Sequence, residues 1–169
     1  MAMQSMFFVA AIVAIAATAR VITAMHPVHA LLYLIVSLLA VALIFFTLGA
    51  PFAAALEVII YAGAIMVLFV FVMMMLNLGE ADAARERSWI SPGMWIGPAV
   101  LAAVLLIELI YLVVQGAGAP VVRQAVGAKA VGTMLFGPYV LGVELASMLL
   151  LAGLVGACHV GRRNADDTD

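Results

Sequence analysis

The run from Ala53 to Leu76 is 24 residues long and carries a single formal charge, Glu57. As α-helix it would measure roughly 36 Å, enough to cross a hydrocarbon core of about 30 Å. No polar stripe runs along it, so a helix built from it has to be buried in lipid or among other helices. The one acid lies about a turn from the start, and carboxylates inside a membrane are costly and as a rule functional. Tyr61 and the small cluster Ala62-Gly63-Ala64 follow it.

Composition extends that constraint to the whole chain. Of 169 residues, 68% are hydrophobic and 9% charged, with mean hydropathy +1.29. A soluble domain is about a quarter charged, so the chain falls in the membrane class. A net charge of -2 gives no basic footprint for nucleic acid. The single cysteine, Cys158, supports neither an intrachain disulfide nor a metal cluster. The expected fold is an all-α membrane protein, one integral domain over residues 1–169. Five transmembrane helices are expected at about 3–24, 29–48, 53–76, 94–115 and 138–160, before a polar, frayed tail at 162–169.

The first span, Met6 to Ala19, is alanine-rich and ends at Arg20. No Lys or Arg precedes Arg20, so it reads as a helix and not a cleaved leader, although Ala17-Thr18-Ala19 resembles a cleavage site. Ala10, Ala14 and Thr18 form a small-xxx-small ridge suited to close helix approach. Pro27 is placed to begin the second span; His26 and His29 invite a metal or proton-relay reading but read more simply as solvated imidazoles at the membrane edge. Tyr33 and Ser37 are that span's sparse polar groups, and Gly49-Ala50-Pro51 reads as a tight turn between two antiparallel helices.

Glu80, Asp82, Arg85, Glu86 and Arg87, followed by Trp89 and Trp95, read as an interfacial loop. The fourth span carries Glu108. Gly116 to Gly137 is read as the longest loop, and Pro138 as the start of a fifth span carrying Glu144 and Ser147. Gly142/Ala146 and Ala152/Gly156 are further small-residue pairs. Arg20, Arg85, Arg87, Arg162 and Arg163 fall on one side and Arg123 and Lys129 on the other. By the positive-inside rule the N-terminus is expected outside and the C-terminus in the cytoplasm. That places Glu57, Glu108 and Glu144 in the outer half of the bilayer.

The chain has no nucleotide-binding loop, haem-spaced histidine pair, cysteine cluster or nucleophile–base pair. Nor is there a mid-span acid paired with Lys or Arg, as a self-contained carrier would show. From the residues alone it reads as a five-helix subunit of a larger assembly, able to contribute to proton conduction.

Longer motifs add a resemblance. The run Leu56-Glu57-Val58-Ile59-Ile60-Tyr61-Ala62-Gly63-Ala64-Ile65-Met66-Val67-Leu68-Phe69 resembles the third helix of the subunit J (chain 6) family of bacterial NADH:quinone oxidoreductase, respiratory complex I. Arg20-Val21-Ile22, His26-Pro27-Val28-His29-Ala30-Leu31-Leu32-Tyr33, Leu135-Phe136-Gly137-Pro138-Tyr139 and Val143-Glu144-Leu145-Ala146-Ser147 resemble the same family in order and spacing. Spans one to three and five carry the likeness; span four matches in hydrophobicity alone, and Glu108 is no part of it.

The resemblance implies a membrane-arm subunit of a proton-pumping enzyme in the bacterial inner membrane, without a catalytic centre of its own. FMN, iron–sulfur clusters and quinone are then expected in partner subunits, and none in this chain. The implied partners are subunits A, K, H and N. It further implies a π-bulge between Tyr61 and Phe69 that opens and closes a water-filled proton route. Glu57, Tyr61, Gly63, Val67 and Glu144 are the candidate path or gating residues on that reading. Glu57 can equally cap its own helix start. A J-like subunit of a membrane hydrogenase or antiporter-type complex, or a small free-standing transporter, is the rival reading; a transporter often shows internal repeats, and none is evident here.

Overall fold

The computed structural model describes residues 2–25, 27–76, 92–116 and 125–166. In order they form α1 (Ala2–Thr23), α2 (Pro27–Thr47), α3 (Pro51–Leu56), a π-helical segment (Glu57–Ile65), α4 (Met66–Leu76), α5 (Pro92–Gly116), α6 (Ala128–Leu135) and α7 (Val140–Asp166). Among the described residues five helices are long and apolar enough to cross a membrane: Met3–Thr23, Pro27–Thr47, Pro51–Met75, Trp95–Val114 and Val140–Arg162. The third is α3, the π segment and α4 joined end to end. The charged stretch from Glu80 to Arg87, together with Trp89 and His26, lies outside the described residues. Two compact units divide the chain, Met1–Val126 and Gly127–Asp169.

In the first unit α2 packs against α1, the third helix and α5. Its seam with α1 is built by residues at three- and four-residue steps, which lie on one helical face. Met6, Ala10, Val13 and Ala17 come from α1, and Tyr33, Val36, Ala40 and Leu43 from α2. Ala10, Ala17 and Ala40 are fully buried, the small side chains letting the two backbones close up. The seam therefore follows Ala10 and Ala17, with the expected ridge residue Ala14 packed at its edge. Thr18, the third residue of that ridge, reaches across instead, its hydroxyl 2.8 Å from that of Ser37. Ser37 also donates to the Ala14 carbonyl at 3.4 Å.

The turn after α2 is closed by backbone geometry. Gly49 has φ 83, in the left-handed region where a Cβ is penalised. Its N–H donates to the Phe46 carbonyl at 3.1 Å, and that of Ala50 to the Phe45 carbonyl at 3.0 Å. These two bonds form a Schellman motif, which satisfies carbonyls that the end of α2 would leave unpaired. Pro51 then opens the third helix, where its missing N–H costs no helical bond.

α5 presents Leu101, Leu105 and Leu112 to the α1–α2 cluster. Near its start, Gly97 leaves the notch into which the Tyr33 phenol fits. Pro98 follows within the helix.

The second unit departs from the sequence expectation in three places. Residues 128–135, read as loop, form helix α6 behind Gly127, whose backbone is extended. Glycine content favours a loop, but Ala128, Ala130, Val131, Met134 and Leu135 tolerate a short helix around Gly132. Pro138 sits in the turn 136–139 and not at a helix start; α7 begins at Val140. At the other end α7 continues to Asp166, into the tail expected to be frayed, whose residues 167–169 lie outside the described ones.

Candidate functional site: the π segment and the membrane acids

π turns are rare inside α-helices and are frequently found at functional sites. The segment Glu57–Ile65 is such a departure, nine residues long, inside a membrane span. At its end the Met66 N–H reaches the Tyr61 carbonyl five residues back, as well as that of Gly63. The expected bulge is therefore present, but it begins at Glu57 and ends at Ile65, four residues upstream of the Tyr61–Phe69 window at both ends. The small cluster Ala62-Gly63-Ala64 falls within it, as anticipated. A Cβ at Gly63 would stand 3.2 Å from the Val58 carbonyl oxygen, tighter than almost all such contacts. The π backbone thus leaves little room for a side chain there.

Four of the five candidate residues follow one another along this helix. Glu57 is half-buried, Tyr61 and Val67 lie on the surface, and Gly63 is half-buried between them. No hydrogen bond joins Glu57 to Tyr61 among the described residues. Capping by Glu57 is ruled out: the helix starts at Pro51, and the Glu57 N–H already donates to the Ala53 carbonyl. Its carboxyl therefore stands beyond the first turn, free of the helix-start role. Glu144 lies on α7 in the second unit, on the surface. Ser147, three residues on, donates to the Glu144 backbone carbonyl at 2.8 Å and so serves the helix.

Two residues inside the fold escaped that set. Met66, first after the π segment, is 1% exposed and the largest fully buried side chain among the described residues. Nothing distinguished it in the sequence from Met73, Met74 and Met75. Glu108 is buried as well, at 7% exposure. His29, read as solvated, packs its ring on Tyr33 with centroids 4.9 Å apart. Among the described residues no group of three or more His, Cys, Asp or Glu is arranged to hold a metal ion.

The sequence is similar to those of known proteins. The sequence matches the family NADH-ubiquinone/plastoquinone oxidoreductase chain 6 over residues 17–160. It is 62% identical over 164 residues to the NADH-quinone oxidoreductase subunit J of Pseudomonas aeruginosa, covering 96% of this chain and 99% of that one. The subunit J of Escherichia coli strain K12 is 59% identical over 160 residues, 95% of this chain and 87% of the relative. That of Buchnera aphidicola from Acyrthosiphon pisum is 46% identical over 165 residues, 97% of each. A five-span helical chain whose third helix turns π between Glu57 and Ile65, and whose sequence matches from residue 17 to 160, belongs to the chain 6 family of NADH-ubiquinone/plastoquinone oxidoreductases.

Proposed function

We propose that this chain is a membrane-arm subunit of a proton-translocating NADH:quinone oxidoreductase in the bacterial inner membrane, and that its third helix controls a water-filled proton route. The observation that carries the gating part is the π segment Glu57–Ile65 within a membrane span. One extra residue in a turn rotates everything beyond it by about 100°, so interconversion with α geometry moves bulky side chains into or out of a water path. Glu57, Tyr61, Gly63 and Val67 form the gate in this reading, and Glu144 carries protons on α7. NADH oxidation, FMN, the iron–sulfur clusters and quinone belong to other subunits. Subunits A, K, H and N are its neighbours, docking on apolar surface such as Val58, Ile59 and Ile60. The N-terminus faces outward and the C-terminus the cytoplasm; a reporter fused after Asp169 that works only in the periplasm would reverse that orientation.

Gly63→Val tests the gate. The added Cβ would crowd the Val58 carbonyl at 3.2 Å, and its branch would tighten the contact further. Overpacking of this kind costs about 1–3 kcal/mol, which shifts the balance between π and α forms roughly five- to 150-fold. The assembled Gly63→Val complex should keep NADH-to-artificial-acceptor activity while its quinone turnover and proton pumping fall together. Unchanged quinone turnover and proton-to-electron ratio in that complex would remove the gating role.

A further inference from the structure

Glu108 is a buried acid that neither the resemblance nor the third-helix reading uses. It belongs to the span Trp95–Val114, about 20 Å along the helix from Trp95 and about 9 Å short of Val114. Its place between Leu105 and Leu112, at three- and four-residue steps, puts it on the face of α5 that packs against α1 and α2. Both carboxyl oxygens are sealed from the surface and have no hydrogen-bond partner among the described residues. The burial is within this chain itself.

The packed elements offer no counter-charge either. The ionisable side chain of α1 is Arg20, exposed near its C-terminal end. Those of α2 are His29 and Tyr33, both near its start. Tyr33 abuts Gly97, and Glu108 lies 11 residues beyond Gly97, about 16 Å up the helix. An equal rise along α2 from Tyr33 reaches Leu43 and Ile44, both part of the apolar cluster. On α5 itself the other ionisable side chain beyond this point is Tyr111, on the surface. An ionised carboxylate buried without a partner is far too costly to persist, and such a group neutralises itself by taking up a proton.

We infer that Glu108 is a proton-binding site: a neutral carboxylic acid sealed between the first, second and fourth spans, which gives up its proton only when water enters that interface. The chain thus carries a bound proton at a place apart from the third helix. This does not rest on the gating role proposed for the π segment.

The test is an infrared comparison of the assembled, reconstituted complex with its Glu108→Gln variant, each in light and heavy water. A neutral acid predicts that the variant loses one carbonyl stretch of a protonated carboxyl group, a band that shifts in heavy water, and loses no carboxylate bands. Loss of the paired carboxylate bands instead would overturn the inference, since Glu108 would then be ionised. Failure of Glu108→Gln to assemble would overturn it as well, because the amide reproduces the shape and neutrality of the protonated acid. Gly63→Val reads quinone turnover and pumping, whereas this experiment reads one carboxyl group, so the failure of either leaves the other standing.

Discussion

Gly97→Ala is the substitution whose effect the structure specifies most closely. A Cβ at Gly97 would overlap the Tyr33 phenol oxygen and stand 3.1 Å from Cζ and 3.7 Å from Cε1 of the same ring. The ring is rigid and boxed in: Tyr33 is buried in the cluster shared by α1, α2 and α5, and His29 packs on it. It cannot swing clear without losing those contacts, so either α5 moves off α2 or the ring is strained. Overpacking a well-filled core costs about 1–3 kcal/mol. Tyr33→Phe removes the overlapping oxygen and leaves Cζ as the nearest atom, a contact that a shift of a few tenths of an ångström relieves. Most of the penalty should therefore vanish in the double variant, giving a coupling of about 1–2 kcal/mol between the positions. Heat-induced loss of assembled complex in mild detergent, followed for wild type, both single variants and the double, closes the cycle. If Gly97→Ala matches wild type, or is equally damaging with Phe at 33, the proposed fit of phenol into notch is wrong.

Two further outcomes follow from the helix hairpins. Gly49→Ala places a Cβ at φ 83 and should destabilise the α2–α3 turn by about 1–2 kcal/mol, with Gly49→Asn much milder; equal thermal stability of the Ala and Asn variants would refute it. Ser37→Ala strands the Thr18 hydroxyl and should weaken the α1–α2 pair by about 0.6–1.7 kcal/mol. Adding Thr18→Ala should then cost little more in the same heat assay, and full additivity of the two substitutions would count against the bond.

The parts of this fold that the sequence announces are those written in length and punctuation. Apolar runs long enough to span a bilayer marked the five helices, and Pro27, Gly49 and Pro51 marked the joints between the first three. What it withheld is facing. A helix apolar all round carries no stripe to say which side turns inward, so the burial of Met66 and Glu108 had to await the packing of α2 against its neighbours. The same gap shifted the π segment: the resemblance named the helix, while the onset at Glu57 depends on local backbone bonding that residue identity does not encode. The Ser147 hydroxyl is a related case. Shared helical face said nothing about whether its hydroxyl would seek the carboxyl of Glu144 or its backbone.

Met66 acts as a marker of rotational phase for the lower half of the third helix. It follows directly on nine residues wound with too few degrees per residue, and it is the side chain that this unwinding delivers into the packed interior. Were the same stretch to wind as plain α-helix with its upstream end held, the angular slot now filled by Met66 would pass to its predecessor. Ile65, at present on the surface, would turn inward, and the thioether would swing out by on the order of 100°. Chemical access to one sulfur atom would then report which winding the helix has adopted.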